Sequence, residues 1–244
     1  MTHRNVLVVA HPDDEVLWFS SLLADIDLVI LVYRDYPPKQ YLGSARLATV
    51  RSLPYDITFL ELPEPGSYNL ANWHAPQPSE FGLCLPCAEP EEAGRYAQNF
   101  EKLVSNLTHL LHNTDRVYTH NPWGEYGHED HVQIYRAVQS VGLTLKFEIY
   151  VDGYVSAKSA GLMTHYGMRR IDRVMVRPVN RSFSNNLARI YLAHKAWTWA
   201  ADWVFPRQEY FLPHEDLTLK QGSNIPVKHL IRLPATTGNR QAGY

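Results

Sequence analysis
The chain has 244 residues, 45% hydrophobic and 20% charged, with a formal net charge of −2. This is the composition of a water-soluble globular protein, without the basic excess of a nucleic-acid binder. No apolar run reaches the ~20 residues of a membrane-spanning helix, and the first apolar segment starts without a signal-type leader, so the reading is a cytoplasmic protein with no transmembrane segment.

Asn5–Ala10 is nearly all β-branched or Leu, as in a strand buried on both faces of a parallel sheet. Glu15–Ile26 reads as a helix with Val16, Phe19, Leu22 and Leu23 on one stripe, and Asp27–Tyr33 as a second strand. Pro37-Pro38 breaks the chain. A short helix over Ser44–Leu53 and a strand over Ile57–Leu62 follow. Pro63–Pro90 lacks any period and carries Tyr68, Trp73, His74 and Phe81. A loop this long is either a functional wall or an insertion without fixed structure.

Ala93, Tyr96, Ala97, Phe100, Leu103, Val104, Leu107, Leu110 and Leu111 share one helical face. Val117–Thr119 is then a strand, Asp130–Val141 a helix, Leu145–Val155 a strand and Ser182–Val204 a last long helix, with His194 on its apolar stripe. This order predicts a Rossmann-like α/β fold: three α/β/α layers, a mainly parallel sheet, and a site at the carboxyl ends of the strands. One domain over 1–244 is the economical reading, with 156–244 its least recognisable part. The only cysteines, Cys84 and Cys87, lie C-x-x-C in a Pro- and Glu-rich loop with no second ligand pair nearby, and read as loop thiols.

Two clusters carry the chemistry. His11, Asp13, Asp14 and Glu15 crowd the end of the first strand; Tyr126, His128, Glu129, Asp130 and His131 follow the strand Val117–Thr119. Both therefore fall at one edge of the sheet. Repulsion among the carboxylates is relieved if a divalent cation sits among them at a helix N-terminus. His11, Asp14 and His131 form a two-His, one-carboxylate set with an open position, a pattern shared by catalytic zinc and non-haem Fe(II).

"AHPDDE" after a first strand, with "GHEDH" more than a hundred residues later, resembles the PIG-L/LmbE family of zinc-dependent de-N-acetylases. The resemblance covers roughly residues 4–155. It implies one Zn2+ per chain on His11, Asp14 and His131, with Asp13 as general base. His128 would stabilise the oxyanion or protonate the leaving amine, Asp130 would orient His128, and Tyr126 would bind or polarise the substrate amide. The implied reaction removes an N-acetyl group from a GlcNAc-like amino sugar of a glycan, glycolipid, nucleotide sugar or natural-product precursor. The implied partner is thus a small-molecule or glycan substrate; oligomeric state is not legible.

The sequence departs from the family at two places. Glu129 replaces the usual proline, for which a local backbone effect is expected, and Val16-Leu17-Trp18-Phe19 replaces small residues, for which a bulkier wall is expected. Arg46 or Arg51 stands near the family's substrate-binding arginine, with shifted spacing. Two other readings remain open: an Fe(II) oxygenase on the same ligands, and a non-catalytic metal-binding protein of the same fold. Jelly-roll folds usually carry the first, and an unliganded Asp13 argues against the second.

Overall fold
A computed structural model describes residues 4–219. Its centre is a seven-stranded, mostly parallel sheet. β1 (Asn5–Val9), β2 (Leu28–Tyr33), β3 (Ile57–Leu62), β6 (Arg116–Thr119) and β7 (Glu148–Asp152) run parallel in the order β3-β2-β1-β6-β7. β10 (Gln208–Pro213) joins β7 antiparallel, and β9 (Met175–Pro178) closes that edge against β10. Between β3 and β6 lies a two-residue hairpin pair, β4 (Pro78–Ser79) and β5 (Gly82–Leu83). A further small pair joins β8 (Tyr166–Met168) to β11 (Leu217–Leu219).

Alternation along β1 explains the layers. Val6 and Val8 pack against Leu103 and Leu107 of α3 (Pro90–Leu110) and Ile134 and Val138 of α4 (Glu129–Leu145). Leu7 and Val9 point the other way, to Val16 and Leu17 of α1 (Asp14–Trp18) and Leu187 and Tyr191 of α6 (Arg181–Ala193). α2 (Tyr41–Val50) lies on the same face as α6. Successive strand residues face opposite layers, so a continuous apolar run is what a doubly covered strand requires. Each fully buried Leu or Val contributes about 1.5–3 kcal/mol, and Leu107→Ala costs about 2–5 kcal/mol through the cavity it leaves.

Among the described residues no helix is long and apolar enough to cross a membrane. α3 starts at Pro90 behind a reciprocal capping box between Glu89 and Glu92.

Two expected helices stop early. α1 ends at Trp18 rather than Ile26, because Ser20 and Ser21 bond to the buried Glu209 carboxylate instead of continuing the helix. α6 ends at Ala193 rather than Val204. Lys195 takes φ +59°, and the Ala196 amide reaches back to the Tyr191 carbonyl at 2.9 Å. The expected strand over Leu145–Val155 likewise shrinks to Glu148–Asp152, since Leu145 closes α4 and Lys146 caps it at φ +65°. A lysine takes the left-handed conformation at the end of both helices, as the cap of α4 and just past the cap of α6, where glycine would have announced the end. His194 caps α6, partly exposed, its Nε2 3.2 Å from Ser52 Oγ. The 156–219 part supplies the short helix α5 (Ala160–Met163) and strands β8 to β11, none of which the sequence reading had placed.

Candidate metal centre and active site
The strand order reverses between β1 and β6, and the chain leaves both strands toward the same edge. β1 delivers His11 to Glu15; β6 delivers the segment from His120 to His131. The Ala10 amide donates to His120 Nε2 at 2.9 Å and ties the two together. An Asx-type turn follows, in which Asn121 Oδ1 accepts from the Trp123 and Glu125 amides. Gly124 completes it at φ +68°, where a Cβ would sit 2.7 Å from the His128 carbonyl. α4 then begins with His128 as its N-cap, so Glu129, Asp130 and His131 occupy its first turn.

His11 Nδ1 and His131 Nε2 lie 3.3 and 3.4 Å from one oxygen, Oδ2 of Asp14. The ligand atoms of these three buried residues all fall within 4.8 Å of one another. Two further triads meet that distance, His11/His128/Asp130 and His120/Glu125/His131. Hydrogen bonding separates them. His11 turns its Nε2 to Asp130 Oδ2 at 3.2 Å, and His131 turns its Nδ1 to Glu125 Oε2 at 2.5 Å. Each imidazole is thus backed by a carboxylate on one nitrogen and aimed at Asp14 with the other, the usual setting of metal-ligating histidines. His131 Nε2 is moreover buried without a hydrogen-bond partner. A bound cation would satisfy it, and the residues present fit one.

The electrostatics agree. Burial alone would drive protons off the histidines. Glu64, Asp130 and Asp14 around His11, and Asp14 and Glu125 around His131, outweigh it and hold the imidazoles up to about 10 and about 9. Asp14, although burial opposes its charge, is held below the usual carboxylate range by His131, His11 and His120. Without a cation, protons fill the anionic well.

Asp13 lies beside the triad and outside it. Burial first, and the Asp14 charge second, push its carboxyl up to about 7 against two hydrogen bonds from Thr198. His128 goes the other way: burial, then the charges on His11 and His131, hold it well below its ordinary value. Its Nδ1 accepts from the Asp130 amide at 3.2 Å, leaving the ring proton on Nε2. Asp130 therefore meets His128 through its backbone, while its carboxylate bonds His11 and Ser67. Tyr126 lines the pocket edge-on to His131, centroids 5.2 Å apart, and packs on Trp199 at 4.8 Å.

Glu129 is more than a backbone variant. Its carboxylate accepts from the Asn69 and Ala71 amides and the Trp73 indole at 3.2, 2.9 and 2.9 Å. Lys158 adds a second tie, bonding Asn69 Oδ1 and the Gly127 carbonyl at 2.6 Å each beneath the Tyr68 and Trp73 rings. The 63–90 loop is thereby a wall of the site, with Tyr68 against His128 at 4.9 Å. Of the bulky run after Asp14, only Leu17 lines the pocket; Trp18 acts from behind, packed on Tyr126 and Trp199. Arg46 also lines the pocket but is paired with Glu64, whereas Arg51 is exposed at the end of α2. Cys84 and Cys87 are exposed free thiols.

Sequence reasoning had not singled out His120, Glu125, Glu64, Ser67 or Thr198. Glu125 had a local signal, an acid six residues before His131 in a glycine-flanked turn. Thr198 had none.

No protein-family model matches the chain, and no curated protein does. Solved structures do. The zinc-inhibited form of teicoplanin deacetylase Orf2 superposes with a TM-score of 0.57 at 12% identity, covering 90% of this chain and 100% of that one. It has the PIG-L/LmbE deacetylase fold. A deacetylase–teicoplanin complex matches at TM-score 0.54 and 13% identity, again over 90% of this chain and all of the other. The A40926 pseudoaglycone deacetylase Dbv21 matches at 0.52 and 12%, over 91% and 100%. The likeness thus runs well past the residues that carry the two motifs.

Proposed function
We propose that the protein is a metal-dependent N-deacetylase, removing the acetyl group from an amino sugar of GlcNAc type carried on a glycan or natural product. The observation that carries this reading is the orphaned, buried His131 Nε2 aimed at Asp14, with an unliganded carboxylate, Asp13, next to it. A purely structural metal site has no use for that second carboxylate. The parallel α/β sheet gives no support to the oxygenase reading.

His11, Asp14 and His131 would hold one Zn2+ per chain. Bound there, the cation supplies Lewis-acid polarisation of the amide carbonyl and acidifies water toward a pKa of ~7. Asp13 takes a proton from water as the new C–O bond forms. The neutral His128 donates its Nε2–H to the developing oxyanion or passes that proton toward the nitrogen, and Tyr126 orients the amide from the pocket wall. The C–N bond breaks as the nitrogen gains a proton, giving acetate and a free amine. Tyr68, Tyr126 and Trp199 line the pocket, and aromatic side chains supply the apolar contact area that a sugar ring can pack on.

Acetate release from N-acetylglucosamine, its alkyl glycosides and N-acetylated glycopeptides, before and after chelation and zinc add-back, tests the reading. Release that is lost with the metal and regained with it supports the proposal. Oxygen-dependent turnover with iron, and no acetate, would replace it.

A further inference from the structure
Asp13 is held in place from two sides. Its backbone lies at φ +107°, a region non-glycine residues rarely enter unless their surroundings impose it. Here the Asp13 amide donates to Glu15 Oε2 at 3.1 Å, and its carbonyl accepts from Val16 and Leu17 at 3.1 and 3.0 Å. Glu15 is itself pinned by the hydroxyls of Tyr55 and Tyr191, at 2.8 and 2.5 Å. The side chain is gripped separately: Thr198 donates its amide at 2.8 Å and its hydroxyl at 2.7 Å to the same oxygen, Asp13 Oδ2.

A carboxylate on one freely turning bond presents either oxygen in any direction. Two donors on Oδ2 stop that rotation and leave Oδ1 as the oxygen available to water. Short bonds to an ionised oxygen are the strong kind, and a reacting group held to within about 0.5 Å is what makes a positioned base effective. The residue doing this comes from the irregular segment that follows Lys195, just past the cap of α6. Its neighbour Trp199 packs on Tyr126, and both line the pocket; the Trp197 indole closes a turn onto the Ala200 carbonyl at 3.1 Å.

We propose that Thr198 is the positioning residue of the general base, fixing which oxygen of Asp13 faces the water. This rests on the reading of Asp13 as base. The hydroxyl acts on the chemical step, whereas the rest of the segment, through Trp199, shapes the pocket. Removing the hydroxyl alone therefore lowers kcat and spares KM.

The test compares Thr198→Val, Thr198→Ala and Thr198→Ser in the full chain, zinc-loaded, with N-acetylglucosamine as probe, following acetate release, zinc content and melting temperature. Thr198→Val, or Thr198→Ala if the valine variant does not fold, should lower kcat roughly 10- to 100-fold. KM should stay within about threefold and zinc content unchanged, while Thr198→Ser restores most of the rate. A crystal structure of the metal-free valine or alanine variant, in which only the residue 198 amide still bonds Oδ2, should show the Asp13 carboxylate turned or spread over more than one orientation. Unchanged kcat, a serine variant no better than the others, or an unmoved Asp13 overturns the proposal. Asp13→Asn, run alongside, separates the two levels. Full activity there overturns the reading of Asp13 itself; an inactive Asp13→Asn beside a fully active Thr198→Val overturns only the role of Thr198.

Discussion

His131 and Glu125, six residues apart across the turn into α4, face each other at 2.5 Å from Nδ1 to Oε2. Glu125 is fixed by the Asn121 amide on its other oxygen at 2.8 Å, so it sets the plane of the imidazole and with it the aim of Nε2 at Asp14. Glu125→Gln keeps the shape and removes the charge. It should weaken zinc binding roughly 10- to 100-fold, read by competition with a chromogenic chelator. Unchanged affinity would mean that Glu125 supports the fold and not the metal.

The protons on His11 and His131 set a pH dependence. Both imidazoles are held up, to about 10 and about 9, so in the metal-free protein both are protonated at neutral pH. A cation binds only the neutral rings and must displace those protons. Affinity should therefore rise with pH through the range below about 9, by about tenfold per unit for each proton released. Zinc titrations at pH 6.5 and 8 in several buffers of different ionisation enthalpy report the proton count directly. A pH-independent affinity would contradict the proton-filled well.

Glu129 ties the 63–90 loop to α4 through three donors, two of them at 2.9 Å. Glu129→Ala leaves the buried Ala71 amide unpaired, at a cost of about 1–3 kcal/mol. The expected outcome is faster proteolysis within 63–90 and a raised KM, because Tyr68 loses its backing against His128. A protease pattern identical to that of the unaltered protein would show that the other ties, Lys158 to Asn69 and Ser67 to Asp130 among them, secure the loop without Glu129.

His128 should lower turnover when removed but leave the metal in place. Its ring proton sits on Nε2 and its pKa is depressed by burial and by the charges on His11 and His131, so in the proposed reaction it would act as a neutral donor. Losing one oxyanion donor typically costs about 100- to 1,000-fold in kcat. His128→Ala that empties the site instead would move His128 into the ligand set.

Much of this was legible in the residues, and the reasons are physical. β1 could be read because a strand covered on both faces has no polar positions. The two clusters could be assigned to one edge because parallel strands return to the same side. The helix ends were harder. Lys146 and Lys195 adopt the conformation glycine usually marks, and Ser20 and Ser21 were diverted by Glu209, which is distant in sequence. Thr198 was invisible for the same reason: a threonine between two tryptophans becomes informative only when the fold brings it to Asp13. Glu129 looked like a neutral replacement because its partners, Ala71 and Trp73, lie in a segment without periodicity.

In the proposed reaction Asp13 acts on water beside a metal it does not bind. Zinc per chain and acetate release from N-acetylglucosamine, measured together on Asp13→Asn, test it most directly. Zinc should stay near one per chain while acetate release falls to background. Zinc lost with the substitution would place Asp13 among the ligands, and acetate release at the unaltered rate would leave the reaction without its base.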